Sequence, residues 1–335
     1  MNVTIIGTGG WGLTLGQVLF DNGHQVSFWT FSQKEVDLLS TEHQYKDKLP
    51  GVIFPESFTY TTDMKKSLAG AEVVLFVVPS QFMGNVAKEF AKCKPEGQIP
   101  LVVCATKGIL EGTNQRMSEV LFENVPWLSS EHVVTLSGPT HAEEVSRRVY
   151  TTIVAACPHE ASAQKVQQLM SNNYLRVYTS TDQVGVELCG AIKNVIAIAS
   201  GVLYGIGAGD NTRAALITRG QAEICRLGRA LGANPRTFAG LAGMGDLIVT
   251  CLSQHSRNRY VGECIGKGET LEQIMGHMTM IAEGVPTCKS AKALADSVHV
   301  ELPIVNAVYE VLFNNKKPAD IIEMLMLRDL KSEEE

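Results

Sequence analysis

The sequence predicts an α/β chain: a mostly parallel sheet covered by helices over residues 1–180, then an all-helical domain over residues 181–335. Three observations lead there. Short β-branched runs alternate with helical stretches through the first half, the mark of a parallel sheet. Runs such as "VVLFVV" are apolar without a break, as in strands buried on both faces. From about Thr181 the strand signal stops and apolar residues recur at helical spacing. A chain of 335 residues fits two domains at roughly 100–200 residues each.

The elements follow in order. "NVTII" reads as the first strand, and 13–22 as a helix with Leu13, Leu15, Val18 and Leu19 on its apolar side. Between them Gly7, Gly9 and Gly12 spell G-x-G-x-x-G. Alone that pattern is weak; between a strand and a helix it is a dinucleotide fingerprint. Gly7 permits the turn, Gly9 the approach of backbone to pyrophosphate, and Gly12 close helix–strand packing. The helix N-terminus adds free N–H groups and partial positive charge for phosphates. Residues 1–180 therefore read as a Rossmann-like dinucleotide-binding domain taking NADH or NADPH.

"QVSFW", "EVVLFVV", "PLVVCAT", "HVVTLS", "TTIVAA" and "LRVYTS" are the further strands, with helices at 81–92, 114–122 and 160–171. At the end of the second strand, "FWTFSQKE" offers no acid for an adenosine ribose. Glu35 reads as the third residue of a capping box begun by Ser32. A 2′-phosphate meets no repulsion there, and no arginine grips it; Lys34 is nearby.

In the second half, "TDQVGVELCGAIKNVIAIASGVLYG" predicts a long helix, apolar on most sides and therefore central. "NTRAALITRGQAEICRLGRALGA" follows and stops at Gly232; Thr270 and Gln273 open a later helix as a capping box. The longest mild apolar stretch, Val195–Gly209, is short and glycine-rich for a membrane span. A strand beginning almost at Met1 leaves no room for a signal segment.

Composition narrows the chemistry. The net charge is −6 with no basic patch, which argues against nucleic acid. The acidic end Glu333, Glu334 and Glu335 reads as a solvated tail. Eight scattered cysteines without C-x-x-C fit buried free thiols in a reducing cytoplasm, and dispersed histidines argue against a protein-held metal.

Four stretches place polar residues in apolar or glycine-rich frames: "CATKG", "LSGPTHAEEV", "GAIKNVIAIASG" and "GMGDLIVTCLSQHSRNR". Lys107 follows a strand at its C-terminal end, where ligands of doubly wound sheets bind. Lys193 lies inside the apolar helix, where a lysine is costly unless paired or functional. It suits an acid that protonates a carbonyl under reduction; a snorkelling lysine is the alternative. Asp246, behind a flexible "GMG", is placed to hold that ammonium or else to cap the next helix. Ser256, Arg257 and Asn258 suit a phosphate, or form an ordinary helix start. Gly138 and Thr140 suit a hydroxylated substrate.

Together, "GTGGWG", "VVPS", "ATKG", "SGPT", "GAIKNVIAIASG", "NTRAALITRG", "GMGDLIVTC", "SRNR" and "IAEGV" resemble the bacterial NAD(P)-dependent glycerol-3-phosphate dehydrogenase family. The motifs run in the family's order across nearly the whole chain. The resemblance implies an oxidoreductase that reversibly reduces dihydroxyacetone phosphate to sn-glycerol 3-phosphate for glycerophospholipid synthesis. It implies Lys193 as acid/base, with Lys107 near nicotinamide and substrate. Gly138, Thr140, Asp246, Ser256, Arg257 and Asn258 become substrate contacts. Gly10, Trp11, Ala142, Arg257, Ile281 and Glu283 become cofactor contacts. Phe31 stands where many relatives carry a basic residue near the adenosine, so the choice between NADH and NADPH stays open, as does a homodimer. Two rivals are another two-domain reductase, acting on a hydroxy acid, and a nucleotide sensor without turnover.

Overall fold

In the computed structural model the described residues are 1–278, 281–330, 332 and 333. Glu334 and Glu335 of the acidic tail lie outside them; Glu333 is exposed. The strands are β1 (Asn2–Ile6), β2 (Gln25–Trp29), β3 (Thr59–Thr61), β4 (Val73–Phe76), β5 (Leu101–Cys104), β6 (Val133–Ser137), β7 (Thr151–Ala156) and β8 (Leu175–Ser180). They form one sheet in the order β3-β2-β1-β4-β5-β6-β7-β8.

Neighbouring strands run parallel except β6 and β7. Those two are joined through a single short helical turn, Ala142–Val145, and the chain returns antiparallel. The seven strands read from sequence are all present. β3 was not foreseen: three residues at the sheet edge give no periodic signal.

Side-chain alternation splits the core into two layers. Val3, Ile5, Phe28 and Leu175 pack on one face of the sheet, with Leu13 and Leu19 of helix Gly10–Asp21. Ile6, Val74, Phe76 and Val102 pack on the other, against Phe90 and Leu121. β1 pairs with β2 on one side and β4 on the other, so the strand order reverses at β1. The crevice beyond the C-terminal ends of β1 and β4 is thus the switch point where doubly wound sheets bind ligands.

The remaining described elements are helical. Helix Gln183–Gly205 runs through their middle, buried on nearly all sides. Here the estimate from Val195–Gly209 needs correcting. The helix is 23 residues long and apolar enough to cross a bilayer, and 94% of its most apolar window is packed inside the protein. Its composition reflects a core position shared with helices Asp210–Ala230, Asp246–Leu252, Arg257–Gly266 and Gly284–Ser297. All eight cysteines are free; Cys93 and Cys225 are half-buried rather than buried as expected.

Two carboxylates, Glu187 buried and Glu283 half-buried, tie the helical half to the sheet half. Glu187, on the central helix, meets Arg116 (2.5 Å), the Ser118 amide (2.8 Å) and the Ser118 hydroxyl (2.7 Å). Glu283 accepts from the Ser80 amide (3.0 Å) and hydroxyl (2.5 Å).

The central helix meets helix Arg257–Gly266 backbone to backbone, along Gly201, Gly205, Gly262 and Gly266. A Cβ on Gly201 would collide with the Arg259 carbonyl, and one on Gly262 with the Ile198 carbonyl. Neither neighbour is a side chain that can turn aside. Gly262→Ala should therefore destabilise the chain by about 1–3 kcal/mol, as overpacked cores do. Thermal or urea unfolding reads this directly, and an unchanged transition would show that the two helices can part at no cost.

Candidate active site

The glycine loop leaves β1 at the switch point. Gly7 has φ +117°, and a Cβ there would strike the Val77 carbonyl just beyond β4. A Cβ on Gly12 would strike the Gly7 carbonyl. Both glycines are thus fixed by packing. Gly9 is different: a Cβ there meets nothing within 4 Å. The space above it is open, as close approach of a pyrophosphate requires. Gly9 is also the N-cap of helix Gly10–Asp21, and no side chain caps that end. Gly10 faces Ala142, whose Cβ lies 3.8 Å from the position a Cβ on Gly10 would take. Trp11 is half-buried against the core of that layer.

Across the crevice, the chemistry centres on one carboxylate. Asp246 is 1% exposed and receives two ammonium groups. Lys193 donates to Oδ1 at 2.5 Å and Lys107 to Oδ2 at 2.7 Å. Lys193 also donates to Thr250 Oγ1 at 2.6 Å, and Lys107 to the Gly138 carbonyl at 3.0 Å. Lys193 comes from the middle of the central helix, Lys107 from the loop after β5, and Asp246 opens helix Asp246–Leu252. The turn before Asp246, Leu241–Gly245, is π-helical. Its Gly243 is pressed against the Phe238 backbone, so close packing accounts for part of the "GMG" that the sequence suggested was flexible.

The electrostatics follow from burial. Asp246 would be pushed up by burial, but Lys107 and Lys193 together hold it below the usual carboxylate range. Lys193 is brought down to about 8: burial is the largest cause, Asp246 opposes it and Lys107 adds to it. One carboxylate and two ammonium groups leave an excess positive charge in a dry site. Such a site can stabilise negative charge developing on an oxygen, and a lysine lowered to about 8 can both give and take a proton.

The other sequence-derived residues are arranged less simply. Thr140 donates its hydroxyl to the Gly138 carbonyl (3.1 Å), so that carbonyl already has two donors. Ser256 caps helix Arg257–Gly266, accepting from the Arg259 amide at 3.2 Å. Asn258 donates to Asn194 (3.0 Å) and accepts from the Gly284 amide (2.8 Å), bracing the residue next to Lys193. Arg257 is exposed, and no ion pair engages it among the described residues. Glu283 is held by Ser80 and lies in the field of Arg257; burial pushes its carboxyl up. Ile281 is 38% exposed.

One expectation fails. Ser32 does accept from the Glu35 amide, at 3.3 Å, but Glu35 does not close a capping box. Its carboxylate turns to Thr8, Thr30, Tyr45 and Lys48 instead. Those partners include a cation and a phenol, which outbid the amide at the start of the helix.

Sequence reasoning also missed residues. Thr250 stands four after Asp246 on one helix, a spacing that could have found it. Ser137 Oγ and His141 Nε2 are buried without a hydrogen-bond partner. Ser137 lies beside Lys107 at Gly190, and His141 lies near Lys193; burial first, then that ammonium, lowers its pKa. Unpartnered polar atoms beside the ammonium pair fit a polar ligand.

A doubly wound sheet with a glycine loop at its switch point, facing a buried lysine–aspartate pair, defines a nicotinamide-dependent oxidoreductase. Comparison with known proteins narrows this class. Residues 2–163 match the model of the NAD-dependent glycerol-3-phosphate dehydrogenase N-terminus, and residues 182–323 that of its C-terminus. The chain belongs to the NAD-dependent glycerol-3-phosphate dehydrogenase family. It is 46% identical to the glycerol-3-phosphate dehydrogenase [NAD(P)+] of Enterococcus faecalis, over 99% of this chain and 97% of that one. It is 47% identical to the enzyme of the same name from Pediococcus pentosaceus, over 99% and 98%. Among solved structures it is similar to glycerol-3-phosphate dehydrogenase from Coxiella burnetii, with TM-score 0.92 and 32% identity over 98% and 99% of the two chains.

The open space at Gly9 generates a direct test. Gly9→Val should fold with an unchanged melting temperature, since nothing packs there. It should weaken both NADH and NADPH by about tenfold or more, the worth of one charge-assisted hydrogen bond to a phosphate. Fluorescence titration with each cofactor measures this; unchanged affinities would remove the loop from the binding site.

Proposed function

We propose that the chain catalyses the reversible, NAD(P)H-dependent interconversion of dihydroxyacetone phosphate and sn-glycerol 3-phosphate, serving glycerophospholipid synthesis in the cytoplasm. The observation that carries the reading is the cluster of Lys193, Asp246 and Lys107 beyond the C-terminal ends of β5 and β6, with Lys193 and Asp246 buried and Lys107 half-buried. Membership of the family supplies the substrate. Residues 1–180 are read as the dinucleotide-binding domain and 181–335 as the helical substrate and catalytic domain; a homodimer is a candidate assembly.

The nicotinamide, when bound, supplies or accepts the hydride at the substrate carbon. Gly7, Gly9, Gly10, Trp11 and Gly12 would hold its dinucleotide, with Ala142, Arg257, Ile281 and Glu283 closing around it. This chain's own task is one proton and one anion. During reduction, Lys193 gives its proton to the carbonyl oxygen of the substrate as the alcohol forms. In the reverse direction the neutral amine takes the proton from the C2 hydroxyl. Asp246 holds the ammonium on the central helix aimed and charged, and Thr250 fixes its second hydrogen bond. Lys107, on the other oxygen of Asp246, adds positive charge where the oxygen becomes negative. Arg257, exposed and free of an acidic partner among the described residues, suits the substrate phosphate together with the helix start at Ser256 and Asn258.

A spectrophotometric assay tests the whole reading. NADH and NADPH should be oxidised with dihydroxyacetone phosphate and not with a panel of keto acids; the opposite pattern would place the chain among hydroxy-acid reductases. Lys193→Met should bind cofactor as before and lose roughly 10²–10⁴ in turnover, the usual span for a positioned acid–base group. Retention of more than about a tenth of wild-type turnover would reassign the proton to Lys107. The Lys193 pKa of about 8 fixes the sign of the pH dependence. Reduction needs the ammonium, so its rate should fall as pH rises through that region. Oxidation needs the amine and should rise over the same interval; parallel limbs would exclude a single shared group. Arg257→Ala should raise KM for dihydroxyacetone phosphate about tenfold, the loss of one charged contact of roughly 1.5–3 kcal/mol. Equal discrimination against unphosphorylated dihydroxyacetone in variant and wild type would contradict that role.

A further inference from the structure

The end of β2 lacks the acidic residue that usually meets an adenosine ribose, yet a carboxylate reaches that place from elsewhere. Glu35 belongs to the first turn of helix Gln33–Glu42. Its Oε2 accepts from Thr8 Oγ1, inside the glycine loop, and from Thr30 Oγ1 (2.7 Å), the residue directly after β2. Its Oε1 accepts from Tyr45 (3.0 Å) and from Lys48 (2.7 Å). The Lys48 ammonium also lies 3.4 Å from the Thr8 carbonyl and 4.2 Å above the Tyr45 ring. The Lys48 carbonyl and the Leu49 side chain face Gly10 from the far side of the loop. A carboxylate and an ammonium therefore sit together at the crevice between the C-terminal ends of β1 and β2, with side chains 17% and 21% exposed.

We propose that the Glu35–Lys48 pair sets the discrimination between NADH and NADPH, by placing two opposite and nearly cancelling charges where the adenosine ribose lies. The proposal rests on the reading of the glycine loop as the dinucleotide site. Its logic is electrostatic. Four donors already fill the lone pairs of the Glu35 carboxylate, so a ribose hydroxyl finds no vacant acceptor there. What the ribose side feels is charge. A 2′-phosphate is repelled by Glu35 and attracted by Lys48; a 2′-hydroxyl is nearly indifferent to both. With both residues present the chain should accept both cofactors, with affinities within about tenfold, or 1.4 kcal/mol. Phe31, the second residue after β2, is 86% exposed and brings no further charge.

The test is equilibrium fluorescence titration of the full chain with NADH and with NADPH, at low and at physiological ionic strength, with competition by 5′-ADP and 2′,5′-ADP. Glu35→Gln keeps the shape and leaves the ammonium uncompensated. It should shift the NADPH:NADH affinity ratio toward NADPH by about tenfold, a shift that shrinks with salt. Lys48→Met leaves the carboxylate uncompensated and should shift the ratio about tenfold toward NADH. The double variant should return close to the wild-type ratio, because both charges are gone. The two ADP fragments should report the same shifts, since they differ only at the 2′-position. Should Glu35→Gln fail to fold, Lys48→Met at the edge of the site carries the test alone. A ratio that stays within twofold of wild type in the folded variants, or that moves in the same direction in both, overturns the proposal. Equal weakening of both cofactors would show a structural staple and likewise overturn it. If the wild-type chain binds neither cofactor, the glycine-loop reading falls first, and that result is seen before any variant is compared.

Discussion

One buried carboxylate organises the chemistry of this chain. Asp246 has almost no contact with water, and it is ionised only because two ammonium groups reach it from different elements. A buried charge of this kind is tolerable when paired and very costly when a partner is lost. The pairing therefore fixes three pieces of backbone relative to one another: the middle of the central helix, the loop after β5, and the start of helix Asp246–Leu252. The contact with Asp246 aims the Lys193 ammonium and opposes the burial that, with Lys107, brings it down to about 8. Structure and reactivity come from a single electrostatic balance.

That balance needs the helices to stay registered on the sheet. Glu187 and Glu283 serve this from opposite ends. Glu187 anchors the second turn of the central helix to Arg116 and Ser118. Glu283, just before helix Gly284–Ser297, anchors to Ser80 beyond β4. Gly108 leaves room beside that contact: a Cβ there would press on Ser80. Between these two anchors lies Lys107. The loop after β5 is thus held on both flanks by carboxylates that take no part in proton transfer.

The sequence made local features legible and long-range pairings obscure. Gly7, Gly9 and Gly12 could be read because a strand, a turn and a helix follow one another within a few residues. Strands such as Val73–Phe76 announced themselves by unbroken apolar runs, whereas Thr59–Thr61 was too short to do so. Lys193 stood out because a lysine in an apolar helix demands a reason. Its bond to Asp246 was a sound guess from chemistry. That Lys107 shares the same carboxylate was not foreseen, since 139 residues separate the two and no periodicity links them. Glu35 was misread for the opposite reason. The S-x-x-E spelling gives a local answer, but stronger partners from Thr8, Tyr45 and Lys48 arrive only when the chain is folded. The central helix was legible from end to end, but the partners of Gln183 and Glu187 were not, because those partners lie across the fold.

The glycine seam between the central helix and helix Arg257–Gly266 acts as a ruler. Lys193 rides on one helix, and Arg257 begins the other. With backbone touching backbone, the gap between them has no slack that a rotating side chain could take up. The separation of the Lys193 and Arg257 backbones is then a property of two main chains, and Asn258 pins the scale by bonding to Asn194. Errors of about 1 Å in the placement of reacting groups can cost on the order of a hundredfold in rate. A carbon atom added anywhere along this seam would lengthen the ruler and shift the backbone of Arg257 relative to Lys193, while every polar side chain was still present.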